Sequence, residues 1–279
     1  MFLLGGCQST SGRASGVHAI GRDRLGGGRA TRLANLKIFY GWPSAFDGAK
    51  SPRKAAEKLA RYDAVVLGDG LEMPTHADHG GATQVVGALR GRATVFGYIP
   101  LGHKTGLTLA QIRDRVVAWK KMGISGIFFD EAGYDFGNTR RRQNAAFDAA
   151  HAQNLRVFAN GYDPDDLFVA KKHPPFNPEG AKTTLRRGDS YLYESFGMIL
   201  GEAEDATFRR RKLQKLATAR ALGVQIWGVT TVARAGAPDR MAWRRVVALA
   251  RAAGLFGLGY GAYAFGASGR QIPFLAPDA

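Results

Sequence analysis

From residue 37 onward, short apolar runs rich in β-branched and aromatic side chains alternate with longer segments whose apolar residues recur every three or four positions. The first pattern is that of a strand buried on both faces, the second that of a helix with one buried stripe. Eight such runs occur, at 37–41, 64–68, 94–99, 126–130, 156–160, 190–195, 224–230 and 257–264. Helix signals fall between them. Ser51-Pro52 opens one helix, with proline where the first turn tolerates it. Thr108 and Gln111 form a capping-box pattern, Leu109, Ile112, Val116 and Trp119 follow at helical spacing, and Gly123 closes the segment. Segment 204–222 ends at Gly223, and 238–253 runs from Pro238 to Gly254. Residues 163–170 fit only a short helix before the proline-rich loop 173–178.

Eight strands joined by crossover helices predict an α/β fold, a closed (β/α)8 TIM barrel in one domain. The chain has 279 residues, 45% of them hydrophobic, enough for one large core. An open doubly wound sheet is the competing architecture. No Gly-x-Gly-x-x-Gly follows the first strand and no phosphate-cradling glycine loop is present, so nucleotide binding has little support.

The first 35 residues have a different character. Leu4-Gly5-Gly6-Cys7 resembles the processing box of bacterial lipoproteins, in which the cysteine is lipidated. Only six residues precede Cys7 and none is basic, so the signal is incomplete and a chance match is the alternative. Residues 8–35, rich in Gly, Ser and Arg, read as a flexible tether. The expected organisation is therefore 1–35, a signal remnant and linker, and 36–279, the barrel. This predicts an extracytoplasmic protein anchored to the membrane through Cys7. Cys7 is the only cysteine, so no intrachain disulfide can form.

A net charge of +16 raises the question of an anionic partner. Arg140–Arg142, Arg209–Lys212 and Arg240, Arg244, Arg245 and Arg251 lie on predicted amphipathic helices, which points to a solvated outer face rather than a nucleic-acid site, with contact with an acidic envelope or polymer as the alternative.

In barrels of this class active sites gather at the C-terminal ends of the strands. Here those ends are polar and aromatic. The run Gly126-Ile127-Phe128-Phe129 terminates in Asp130-Glu131, and Ser190-Tyr191-Leu192-Tyr193 in Glu194. Carboxylates at the rim of a packed core are costly unless partnered or used, and two carboxyl groups flanking one bond are what glycoside hydrolysis needs. The structural alternatives are a neighbouring arginine or a loop cap for the Asp130–Glu131 pair, and an ion pair of Glu194 with Arg186 or Arg187. Trp42, Asp69, Tyr98, Tyr134, Asn160, Tyr162 and Trp227, at or just beyond strand ends, are the candidate sugar-binding residues, each aromatic taken singly being as consistent with packing. His76, Asp78 and His79 do not reach the three or four converging donors of a metal site. No Gly-x-Ser-x-Gly elbow is present. No cofactor and no metal are expected.

The series Gly97-Tyr98-Ile99, the helix containing Trp119, and Gly126-Ile127-Phe128-Phe129-Asp130-Glu131 resembles the core signature of the spherulin-4-like glycoside hydrolases. The likeness extends more weakly to Asn160-Gly161 and Glu194 and spans most of residues 37–231. The endo-α-1,4-polygalactosaminidase barrels are a related second family. The resemblance implies a (β/α)8 endo-glycosidase that cleaves α-1,4-linked (N-acetyl)galactosamine stretches in exopolysaccharides such as galactosaminogalactan. It implies Asp130, Glu131 and Glu194 as the catalytic acids. Asp69-Gly70 and Asn160-Gly161-Tyr162 depart from the Asn-Pro and Asn-Pro-Gly of the family pattern, which bears on substrate more than on reaction. The expected partner is a polysaccharide, with membrane anchoring through Cys7, no nucleic acid, and a monomeric state. A catalytically silent barrel that binds polysaccharide at the cell surface is the alternative.

Overall fold

The computed structural model describes residues 32–68, 70–231 and 240–261. The candidates Cys7 and Asp69 lie outside them, as do most of the tether, Pro238 and the end of the last predicted strand. The described strands are β1 (Ala34–Phe39), β2 (Ala64–Leu67), β3 (Thr94–Pro100), β4 (Gly126–Asp130), β5 (Arg156–Asn160), β6 (Ser190–Glu194), a small pair β7 (Met198–Ile199) and β8 (Glu202–Ala203), β9 (Gln225–Thr230) and β10 (Gly257–Tyr260). All but β7 and β8 close into a parallel barrel in the order β1-β10-β9-β6-β5-β4-β3-β2, the (β/α)8 architecture expected. The helices are α1 (Pro52–Leu59), α2 (His79–Leu89), α3 (Leu109–Met122), α4 (Arg140–Ala152), α5 (Asp165–Phe168), α6 (Ala206–Lys215), α7 (Ala217–Ala221) and α8 (Arg240–Ala252).

Strand alternation builds two apolar layers. Leu36, Ile38, Val66, Phe96, Phe128, Phe158, Leu192 and Trp227 fill the barrel, while Phe39, Val65, Ile127, Phe129, Val157 and Tyr191 face the helices. The same period of two places Tyr98, Asp130, Asn160 and Glu194 inside the barrel, one step above Phe96, Phe128, Phe158 and Leu192. The polar mouth is thus the last layer of the hydrophobic pattern.

Helix ends follow their sequence signals. The Ser51 side chain accepts from Lys54 N–H at 3.3 Å, and the reciprocal Thr108–Gln111 capping box forms with Gly123 in the left-handed region (φ 91°). Trp119 lies flat against Gly97, where a Cβ would overlap the indole, and its Nε1 donates to Tyr98 O at 3.2 Å.

Three expectations are corrected. The first strand begins at Ala34, inside the predicted tether, because Leu33 and Leu36 are buried and Ala34 pairs with Gly257. Segment 204–222 is not one helix: Glu204 is drawn inward by Tyr193 and Gly197, and buried Leu216 turns tightly between α6 and α7. The cations of the outer helices are not all solvated. Arg140 is fully buried and donates to Leu167 O and Val169 O, Arg142 donates to Leu101 O and Leu107 O, and Lys212 is buried beside the barrel mouth.

Candidate active site

Three successive strands of the ring, β4, β5 and β6, end in Asp130, Asn160 and Glu194. Asn160 Nδ2 donates to Asp130 Oδ1 at 2.8 Å and to Glu194 Oε2 at 3.3 Å. One amide nitrogen touching both oxygens limits their separation to about 6 Å. Asp130 has two further donors, Tyr98 Oη at 3.0 Å and Glu131 N–H at 2.9 Å. Tyr98 is in turn held by Trp119 through its carbonyl, so the helix signature reaches the carboxylate through two hydrogen bonds.

The backbone turns sharply after both acids, with Glu131 at φ 54° and Ser195 at φ 60°. The left-handed region costs a non-glycine residue roughly 1 kcal/mol or more. At Glu131 it is secured by Asn138 Nδ2, which donates to Glu131 O at 2.5 Å. The turn swings the Glu131 carboxylate over Gly102, where a Cβ would overlap it. Glu131 therefore lines the cleft from the side of β3, while Asp130 and Glu194 form its floor.

A cavity of about 720 Å³ opens above this floor, walled by Asp135, Phe136, Tyr162, Ile199, Phe208 and Lys212. A second of about 230 Å³ descends towards the barrel axis between Ile38, Tyr40, Phe128 and Leu192. Asp130, Asn160 and Glu194 line both, so the carboxylates sit at their junction.

The electrostatics suit proton transfer. Burial raises the pKa of Asp130, against which the Asn160 amide, the Glu131 N–H and the Tyr98 hydroxyl stabilise its anion. Burial also raises Glu194, opposed by Asn160, reinforced by the negative Asp130 and opposed again by Lys212. Glu131 is raised by burial and by Asp130, with Lys104 acting the other way. Lys212 is lowered to about 8 by burial, although Glu194, Glu204, Asp163 and Asp135 all favour its cation. Its ammonium lies 4.9 Å above the Tyr162 ring and 4.5 Å above that of Tyr193.

The structure brings Asp130, Glu131, Asn160, Tyr162 and Glu194 into one cleft, with Tyr98 beneath them. It does not bring the other candidates there. Trp227 is fully buried in the barrel, donating to Ser190 Oγ at 3.2 Å, because its position shares the inward parity of the core layer. Tyr134 is buried and stacked on Phe176. Trp42 is 55% exposed but follows β1, on the far side of the ring from β5, and rests against His76. Asp78 is used internally, accepting from Ser44 Oγ at 2.5 Å, and His79 Nδ1 lies 2.8 Å from Leu71 O. Arg186 donates its backbone N–H to Asp189, and no Glu194–arginine bridge occurs among the described residues. Likewise among them, no three His, Cys, Asp or Glu side chains converge in a metal-holding group, and no helix is long and apolar enough to cross a membrane.

Sequence reasoning missed Lys212, Phe208 and Glu204. Phe208 and Lys212 are four apart on α6 and so share a face, a signal present in the sequence but hidden by the basic run around it.

The sequence matches no protein-family model and no curated protein. Among solved structures the chain is similar to an endo-beta-N-acetylglucosaminidase from Cordyceps militaris, at 13% identity and a TM-score of 0.54, covering 89% of this chain and 88% of that one. It is also similar to the carboxyl transferase domain of Rhizobium etli pyruvate carboxylase, at 12% identity and a TM-score of 0.51, covering 84% of this chain and 40% of that one. A putative dihydrodipicolinate synthetase from Pseudomonas aeruginosa matches at 12% identity and a TM-score of 0.45, over 82% and 71%. The first two likenesses show the barrel fold, which hosts many unrelated chemistries.

Proposed function

We propose that this barrel is an endo-acting glycoside hydrolase that cleaves α-1,4-linked (N-acetyl)galactosamine in an exopolysaccharide. The observation that carries the reading is the Asp130–Asn160–Glu194 cluster on the floor of an open cleft: two carboxylates whose Asn160-bonded oxygens are at most about 6 Å apart, nearer the roughly 5–5.5 Å of retaining pairs than most of the roughly 6.5–9.5 Å range of inverting ones.

In this mechanism Glu194 is the general acid. It protonates the glycosidic oxygen as Asp130 attacks the anomeric carbon, the bond to the leaving sugar breaks, and a glycosyl ester forms on Asp130. Glu194, now ionised, takes a proton from water, which hydrolyses the ester and restores both acids. The assignment follows the donors. Asp130 accepts three hydrogen bonds that stabilise an anion, whereas Glu194 has one, at 3.3 Å, and the charge of Asp130 nearby. A second protein carboxylate, as nucleophile or as base for water, is also what an α-linked N-acetylgalactosamine requires, since its acetamido group is cis to the leaving group and cannot attack from the opposite face. Glu131, on the cleft wall, is assigned to holding the substrate.

The test is release of reducing ends from a panel of polysaccharides that includes acetylated and deacetylated α-1,4-galactosamine polymers. Release from a galactosamine polymer, absent in Asp130→Asn, is expected. No release from any polymer by the wild-type chain would overturn the hydrolase reading.

A further inference from the structure

All barrel strands are parallel, so the turns that lead into the next strand lie at the end opposite the cleft. Those described are 60–63, 90–93, 123–125, 153–155, 186–189, 222–224 and 253–256. The acids they contain are Asp63 and Asp189. Both are engaged. Asp63 holds Arg32 at 3.0 Å and the Asn35 N–H at 2.8 Å, and buried Asp189 accepts from His151, Val157 and Arg186. Against them stand exposed cations spread around the ring in these turns or in the last turn of the helix leading directly into them, where Glu57, bridged to Lys54 at 2.9 Å, is the one acid: Arg61, Arg90, Arg92, Lys121, Arg187 and Arg251. The cleft end has the reverse balance, with Asp130, Glu131, Asp135, Glu194, Glu204 and Asp205 around Lys212. Charge therefore differs between the two ends of the barrel: the turns opposite the cleft are net positive, and the cleft lining is net negative.

The chain also enters the barrel at that pole. Arg32 and Leu33 precede β1 there. The pole's turns present no exposed aromatic ring: Tyr62 is buried and Phe256 half-buried. It therefore lacks the stacking platform that single-stranded nucleic acid uses, and its cations form a ring rather than a groove.

We infer that this basic pole docks the barrel on an anionic phospholipid surface, with the cleft facing away from the lipid. The inference is independent of the catalytic reading. Each Lys or Arg brought to such a surface strengthens binding by about fivefold, an effect confined to within a Debye length of about 8 Å at physiological salt. A ring of cations on one face satisfies that limit for many charges at once.

The test uses the full chain carrying Cys7→Ser, so that no attached lipid contributes, in co-sedimentation with vesicles of phosphatidylcholine alone or with roughly one-third phosphatidylglycerol. Binding to the anionic vesicles only, weakened by salt, is expected. The exposed set Arg61→Gln, Arg92→Gln, Lys121→Gln and Arg187→Gln should weaken it by roughly a hundredfold or more, while Arg210→Gln, Arg211→Gln, Arg244→Gln and Arg245→Gln, an equal change in net charge on α6 and α8, should weaken it less than about tenfold. Unchanged melting temperatures would establish that both sets fold. Equal binding to both vesicles, or equal loss from both sets, would overturn the proposal. So would tighter, pole-dependent binding to duplex DNA, which would make the partner a polyanionic polymer.

Discussion

Asp130 and Glu194 share a single hydrogen-bond donor, the side-chain nitrogen of Asn160, at 2.8 and 3.3 Å. A neutral amide between the two carboxylates lowers the cost of ionising either without neutralising both. Asn160→Ala removes that donor and should lower kcat by roughly 10- to 1000-fold, within the range seen when one positioned polar group is lost. It should also raise both carboxyl pKa values further, because a hydrogen bond to the anion is what holds them down. The pH–rate profile should therefore move to higher pH. A profile unmoved on either limb would show that Asn160 only shapes the cleft.

The two acids should be separable by substrate. Asp130→Asn and Glu194→Gln are each expected to cost at least about a thousandfold on polysaccharide while leaving oligosaccharide binding largely intact. On an aryl glycoside, whose leaving group needs no proton, Glu194→Gln should recover most of its loss in kcat/KM, with kcat still limited by slow hydrolysis of the ester, and Asp130→Asn should recover none. Recovery in Asp130→Asn instead would reverse the assigned roles.

Glu131 can be moved without being replaced. Gly102 has φ −51° and ψ 142°, which alanine adopts freely, but its Cβ would overlap the Glu131 carboxylate. Gly102→Ala should thus displace Glu131 while sparing the Asp130–Asn160–Glu194 cluster. If Glu131 holds substrate, KM should rise by about the same factor as in Glu131→Ala with kcat little changed. A fall in kcat alone would place Glu131 in the chemistry.

The fold was legible because each level of pattern agreed: period-two runs, capping residues and terminating glycines all pointed to strand and helix in alternation. The cleft floor was legible for a related reason, since Asp130 and Glu194 interrupt an apolar period at its last inward position. Trp227 obeys that same parity one layer deeper, and sequence position alone does not distinguish depth within a barrel. Lys212, Arg140 and Arg142 were hidden by composition. They lie in basic runs that read as solvated, yet the helix period turns Lys212 of one run and Arg140 and Arg142 of the other inward, onto Tyr162 and Tyr193 or onto loop carbonyls. Helix α2 begins His79-Gly80-Gly81, a weak helix-forming start, and owes its place to packing against α1 and the turn at Pro43–Gly48.

Lys37 offers a test of burial energetics away from the cleft. It is 3% exposed, its ammonium lies 5.8 Å over the Phe46 ring, and burial lowers its pKa to about 8 despite Asp47. Between pH 8 and the unfolded value near 10.4 the unfolded chain binds the extra proton, so stability rises with pH across that window. Lys37→Met should stabilise the protein at pH 7 by up to about 3 kcal/mol, a gain that shrinks towards zero as pH approaches 10. Urea unfolding at both pH values measures it, and a loss of stability at pH 7 would show that the ammonium is held by more than its burial costs.

Lys212 combines both effects at the site itself. As a cation it stabilises the anion of Glu194 and so lowers the pKa of the proposed general acid, and it clamps Tyr162, a cleft wall 63% exposed, against the body of α6. Lys212→Met removes the cation and keeps the bulk. Glu194 should then retain its proton to higher pH, so the basic limb of kcat/KM should move upward, and KM should rise as Tyr162 loses its support. Lys212→Arg should return the limb towards wild type. Stability should respond separately. With a folded pKa of about 8, Lys212 destabilises the native state at pH 7, so Lys212→Met should unfold at higher urea there and lose that advantage as pH rises through 8. A fall in kcat that is uniform across pH, with no movement of the basic limb and no rescue by arginine, would reduce Lys212 to a packing residue and leave the acidity of Glu194 to burial, Asn160 and Asp130 alone.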